Sequence, residues 1–88
     1  MSHLCISSLV VQTQPAMLAA VRNRIDAIPE AEVLGASEAG KLVVVLDSAD
    51  SREAANTITD IQSQAGILSA TLIYQYDYRI ESKLEDSA

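Results

Sequence analysis

Tryptophan and phenylalanine are absent from this sequence, and its aromatic residues are three tyrosines, Tyr74, Tyr76 and Tyr78. The hydrophobic core of the 88-residue chain must therefore be built from aliphatic side chains. Small RNA-binding domains stack bases on aromatic side chains spread over a sheet. Three tyrosines at the end of the last predicted strand do not supply such a surface, so we expect no RNA-binding function.

Cysteine and histidine occur only once each. The single cysteine, Cys5, excludes an internal disulfide, and His3 is the single histidine. Two such residues do not complete a metal site without further ligands, and no Ser-His-Asp set can be assembled around one histidine. The phosphate-binding motifs Gly-x-Gly-x-x-Gly and Gly-x-x-x-x-Gly-Lys-Ser/Thr are also missing. We expect no enzymatic activity, no cofactor and no metal.

Long apolar runs are missing as well. The longest purely aliphatic segment, residues 42–46, is far shorter than the roughly 20 residues that span a bilayer. The first residues contain no basic region followed by an apolar stretch, so they do not predict a secretory signal. We expect a soluble, cytoplasmic protein.

Acidic residues outnumber basic ones by 12 to 6, which gives a formal net charge of -6. A negative surface repels phosphate backbones and anionic lipid head groups, so neither nucleic acid nor membrane is an expected partner. A basic peptide would be attracted. The charge is equally explained without any partner, because net charge keeps small proteins soluble.

Hydrophobic periodicity predicts strands and helices in alternation. Residues 4–12 are aliphatic and contain no glycine or proline, which indicates a strand. A helix begins near Pro15, where the missing N–H costs nothing, and ends at Pro29. Its apolar face is formed by Leu18, Val21, Ile25 and Ile28.

A hairpin and a second helix follow. Residues 30–36 and 41–47 predict two strands joined by a short turn. Asp50 and Glu53 have the spacing of a capping box at the start of a helix, with Glu53 reaching back, and Gly66 is a typical residue after a helix end.

The last predicted strand covers residues 67–78, which completes the order strand, helix, strand, strand, helix, strand. This order predicts an α+β, ferredoxin-like β-α-β-β-α-β sandwich, a four-stranded antiparallel sheet with two helices on one face. Residues 1–78 form the predicted domain, and residues 79–88 are a polar tail that we expect to be mobile.

The sheet face without helices is the predicted functional surface. Side chains alternate between the two faces of a strand, so Val43 and Val45 must point outward if their aliphatic neighbours point toward the helices. In the first strand either alternate set can point outward, and we place Ser7, Leu9 and Val11 there. The predicted peptide-binding residues are Ser7, Leu9, Val11, Glu32, Val43, Val45, Asp47, Ile73, Gln75 and Asp77.

An apolar centre with acidic residues at its edges is typical of an interaction surface. It suits a ligand that is hydrophobic and basic, such as an amphipathic helix laid on the sheet. Two other occupants remain open at this point: the C-terminal tail folded back over the face, or a second copy of the chain packed sheet to sheet.

Several segments, in this order, resemble the NapD family of small cytoplasmic chaperones. They are Ser-Ser-Leu-Val-Val-Gln at 7–12 followed by Pro15, Glu32-Val33 after Pro29, Gly-Lys-Leu-Val-Val-Val-Leu-Asp at 40–47, and Gly-Ile-Leu-Ser-Ala at 66–70 with Leu-Ile-Tyr-Gln at 72–75. The similar part covers residues 6–76. The sequence departs from many relatives at Gln75-Tyr76, where they carry histidine after the tyrosine, and at Glu30, where they carry glycine.

The resemblance implies a ferredoxin-like chaperone that binds the twin-arginine signal peptide of the precursor of the periplasmic nitrate reductase catalytic subunit. Such a chaperone holds the precursor in the cytoplasm until its molybdenum cofactor is inserted, and the peptide docks as a helix on the open sheet face. We expect a monomer or a weak homodimer. The alternatives are a dimeric ferredoxin-like regulatory module that binds a small molecule and, last, a small phosphatase of this topology.

Overall fold

The structure, a computed structural model, describes the backbone of residues 2–80 and the side chains of residues 4–77. Its elements are β1 (Ser2–Thr13), a 3-10 turn (Pro15–Met17), α1 (Leu18–Asp26), β2 (Ala31–Ser37), β3 (Lys41–Ser48), α2 (Ser51–Gln62) and β4 (Ile67–Ile80). The strands form one antiparallel sheet in the order β2-β3-β1-β4. The predicted ferredoxin-like α+β fold is confirmed.

Both helices pack on the same face of the sheet through an aliphatic core. Val21 and Ile25 of α1 and Ile61 of α2 are fully buried there. The strand residues in the same cluster are Leu9, Val11, Leu42, Val44, Leu46 and Ala70. We call this side the helix face and the opposite side the open face.

The start of α2 is fixed by its N-cap. The Asp50 side chain accepts a hydrogen bond from the Glu53 backbone N–H at 2.8 Å, and a Glu53 carboxylate oxygen accepts from the Ala49 N–H at 3.4 Å. Glu53 thus reaches one residue further back than the standard capping box places it. The other end of α2 is Gln62, so the helix stops before Gly66.

The turn between β2 and β3 depends on Gly40. Its φ of +101° is a conformation that L side chains rarely adopt, and an added Cβ would collide with the Thr13 carbonyl oxygen. The Gly40 carbonyl accepts a hydrogen bond from the Thr13 N–H at 2.8 Å. This close approach ties the hairpin turn to the end of β1.

Both outer strands contain extra residues that interrupt the ladder. Leu34 in β2, and Leu68 and Ile73 in β4, have no partner in the strand pairing, and each lies at a register shift. Their side chains are 60%, 61% and 62% exposed, the highest values among the exposed large hydrophobic residues. These three positions are β-bulges, which leave one residue unpaired and bend the strand.

The last strand is longer than predicted. β4 continues to Ile80 and pairs along β1 as far as Ser2, whereas the sequence pattern ended it at residue 78. Most of the predicted mobile tail, residues 81–88, lies outside the described residues.

Candidate functional site: the open face of the sheet

The strand register defines which side chains share the open face. Residues directly opposite each other in antiparallel strands point to the same side. Ser8 of β1 lies opposite Val45 of β3 and opposite Tyr74 of β4. Val45 in turn lies opposite Glu32 of β2. These four residues form a row across the sheet, on the side away from the buried core.

Neighbouring rows extend the same surface. On one side, Asp47, Ile6 and Tyr76 lie opposite one another on β3, β1 and β4, and on the other side lie Gly35, Val43, Val10 and Thr71. The next row is polar and consists of Ser37, Lys41, Gln12 and Ser69. The apolar part of the open face is therefore bounded by a polar row at one end.

The apolar residues of this surface are accessible. Tyr74, Tyr76 and Val43 are 55%, 51% and 42% exposed, and Ile6, Val10 and Val45 are partly exposed. Large side chains at this exposure, adjacent to one another on an uncovered sheet, are typical of an interaction surface.

The expected placement of Ser7, Leu9 and Val11 on the open face is wrong. All three are fully buried on the helix face, because Leu9 and Val11 lie opposite Val44 and Leu42 of the core. The other alternate set of β1, which includes Ile6, Ser8 and Val10, faces outward instead.

The expected placement of Gln75 and Asp77 is also wrong. They lie opposite Ser7 and Cys5, which are buried on the helix side, and the Gln75 amide nitrogen donates to the Ser7 hydroxyl at 3.0 Å. The cause is the bulge at Ile73, which shifts the pairing by one residue. Ile73 itself is exposed but occupies the bulge, so it has no cross-strand partner in the rows above.

Sequence reasoning missed Tyr74 and Tyr76 for the same reason. Placing Ile73 and Gln75 on the open face implies, by uninterrupted alternation, that Tyr74 points to the core, whereas the bulge returns it to the open face opposite Ser8. The tyrosines stand two residues apart, which correctly indicates that they share a face. The sequence does not indicate which face.

Four of the predicted residues do lie on the open face: Glu32, Val43, Val45 and Asp47. Their role in peptide binding stays a prediction. On the outward side of β3, Val45 lies between Val43 and Asp47, and Glu32 of β2 lies opposite Val45.

Carboxylates gather at one corner of the open face, which we call the acidic corner and define as Glu30, Glu32 and Asp47. These residues line a concavity of about 320 Å³ together with Pro29, Ala31 and Val45. Within residues 4–77, no lysine or arginine forms an ion pair with any of the three. Among these described residues, the corner presents negative charge without a basic partner, next to the apolar side chain of Val45.

Two further kinds of site, a metal site and a phosphate-binding loop, can be compared with the described residues. Within residues 4–77, no cluster of His, Cys, Asp and Glu has the arrangement of a metal site, and Cys5 is a buried free thiol. Residues 35–41 have the spacing Gly-x-x-x-x-Gly-Lys, but Leu42 stands where a P-loop needs Ser or Thr. This segment joins β2 to β3 as a hairpin instead of leading from a strand into a helix.

In the part of the chain that the structure describes, neither helix is long and apolar enough to cross a membrane.

The comparisons with known proteins agree with one another. The family model described as NapD protein matches residues 4–78. The chain is 30% identical over 70 residues to proteins named Chaperone NapD from Escherichia coli (strain K12) and from Shigella flexneri, covering 78% of this chain and 80% of each relative. It also superposes on the solution structure of the E. coli Tat proofreading chaperone protein NapD with a TM-score of 0.79 and 26% identity, over 93% of this chain and 84% of that one. Since the family model matches residues 4–78 and the fold matches that of a solved relative, this chain belongs to the NapD family.

Proposed function

We propose that this protein is a cytoplasmic chaperone that binds the twin-arginine signal peptide of the periplasmic nitrate reductase catalytic subunit precursor. It holds that precursor back from export until the cofactor has been inserted. The observation that carries the proposal is the open sheet face, where accessible aliphatic and tyrosine side chains adjoin carboxylates. The names of the relatives support it, since they are chaperones and one is a Tat proofreading chaperone.

The chemistry of the open face matches that of a twin-arginine signal. Such a signal has a basic segment followed by an apolar stretch of about 7–15 residues. Removing apolar surface of the peptide and of the sheet from water contributes about 25 cal/mol per Å². This gain must exceed the entropy lost on association and on ordering the peptide, so the apolar centre supplies most of the affinity.

The carboxylates would have a different effect. Exposed ion pairs contribute only about 0–1 kcal/mol each, while opposite charges increase the encounter rate and discriminate among partners. A neutral apolar helix would therefore bind more slowly and less selectively than one carrying two arginines. The function needs no bond making, because the protein acts by occupying the signal reversibly.

Calorimetric titration with a synthetic signal peptide of the nitrate reductase precursor tests the proposal. A second peptide, in which both arginines are glutamine, serves as the matched control. We expect tight one-to-one binding of the first peptide and weaker binding of the second.

Absence of heat with both peptides, in a protein shown to be folded by circular dichroism, would contradict the proposal. Sedimentation of the same sample then tests one of the two other occupants, a second copy of the chain. A stable dimer at micromolar concentration, lost when Val45 is changed to glutamate, would assign the open face to a second copy of the chain.

A further inference from the structure

The open face has a chemical direction as well as an apolar centre. The acidic corner lies at the β2–β3 side, and Tyr74 and Tyr76 lie on β4, at the opposite edge of the same rows. A peptide with a basic segment followed by an apolar segment can therefore match both parts of this surface in only one orientation.

A positive charge at the far end of β3 disfavours placing the basic segment of the peptide there. Lys41 stands on the same strand as Asp47 and is six residues away from it, a separation of about 20 Å along an extended strand. Its ammonium group would repel arginines placed at that end. The surrounding row of Ser37, Gln12 and Ser69 offers no apolar contact for the rest of a signal peptide.

The crossing distance fits the apolar stretch. Three inter-strand spacings separate β2 from β4, about 14 Å in total, and an α-helix covers this length with about 10 residues. The path from the acidic corner passes Val45, then Ile6 and Ser8, and reaches the two tyrosines. A path along β3 would meet Val45 and Val43, with Val10 beside them on β1, and would then reach the polar row without passing either tyrosine.

We infer that the bound peptide lies across the strands, with its two arginines in the acidic corner and its apolar stretch ending at Tyr74 and Tyr76. This inference deepens the proposed function and rests on it. It assigns recognition of the arginines to Glu30, Glu32 and Asp47. The precursor continues from the other end of the bound peptide, at the β4 edge beside Tyr74 and Tyr76. The arginines are then covered by protein while the signal is bound.

Spin labels on the peptide test the orientation. A nitroxide at the amino end of the synthetic signal peptide should broaden the amide signals of residues 30–32 and 47 in the isotope-labelled protein. A nitroxide at the carboxyl end should broaden those of residues 74–76. The reverse pattern, or equal broadening of both regions by both labels, would overturn the orientation while leaving the proposed function intact. If neither peptide binds, both the function and the orientation are wrong.

A double-mutant cycle tests the corner itself. Glu32→Gln should weaken binding of the arginine peptide about two- to fivefold and leave binding of the glutamine peptide unchanged. Glu38→Gln is the matched control, because Glu38 lies in the turn before Lys41, at the opposite end of the hairpin, and should alter neither affinity. Equal weakening of both peptides by Glu32→Gln, or equal effects of Glu32→Gln and Glu38→Gln, would contradict recognition at this corner.

Discussion

Leu9 and Val10 are neighbours in β1, and their side chains lie on opposite faces of the sheet. Leu9 is fully buried in the core, whereas Val10 lies partly exposed on the open face opposite Val43. Leu9→Ala should lower the free energy of unfolding by about 2–5 kcal/mol, because it removes buried methyl groups and leaves a cavity. Val10→Ala should cost about 1 kcal/mol or less. Urea denaturation of both variants measures the difference, and equal losses would contradict the assignment of the two faces.

Val45 lies at the junction of the apolar centre and the acidic corner. Val45→Glu should weaken signal-peptide binding at least about tenfold, since it places a charge where apolar surface must be buried. The fold should survive because the side chain is already partly exposed. Leu68→Glu is the control, since Leu68 is 61% exposed at a β4 bulge beside the polar row. Calorimetry that finds the two variants equally impaired would show that the apolar centre is not the binding surface.

Gly40 and Gly35 lie in the same β2–β3 hairpin, so alanine substitutions at the two positions can be compared directly. Gly40→Ala should destabilise the protein by about 1–3 kcal/mol, because the residue has positive φ and its Cβ would meet the Thr13 carbonyl. Gly35→Ala should be neutral or stabilise by up to about 1 kcal/mol, since no atom lies within 4 Å of the added Cβ. Thermal unfolding of the two variants separates these effects, and a stable Gly40→Ala protein would contradict the described turn.

Asp50 provides a test of the α2 cap. Asp50→Ala removes the acceptor for the Glu53 N–H and should cost about 0.5–2 kcal/mol. Ser51→Ala alters the next residue, which is exposed and lies inside the helix, and should change stability by less than about 0.5 kcal/mol. Chemical denaturation compares them. If Asp50→Ala left the free energy of unfolding unchanged, the cap would make no measurable contribution to stability.

The element order and the aliphatic core could be predicted because turn residues, helix periodicity and the Asp50 cap are local signals. In contrast, the sequence could not predict which side chains of β1 face outward. Ile6, Ser8 and Val10 on one side and Ser7, Leu9 and Val11 on the other each contain two aliphatic residues and one serine. Only the pairing of Leu9 with Val44 and of Ser8 with Val45 separates the two sets.

The site on β4 was missed for a different physical reason. A bulge adds one residue to one strand without a consistent mark in composition, since Ile73 is as good a strand residue as its neighbours. Alternation counted through Ile73 therefore predicts Tyr74 in the core and Gln75 on the open face, the reverse of their positions. Glu32, Val43, Val45 and Asp47 were placed correctly, because no bulge separates Val43 from Asp47 and the hairpin register fixes Glu32.

The bulges at Leu34, Leu68 and Ile73 have a consequence for the behaviour of the protein at high concentration. They occupy β2 and β4, the two outermost strands of the sheet, where unpaired backbone groups are a template for adding another chain. A bent edge with an unpaired residue does not continue a ladder in register. The bulged edges therefore disfavour the strand-by-strand growth that leads to fibrils, even though the open face carries exposed apolar side chains.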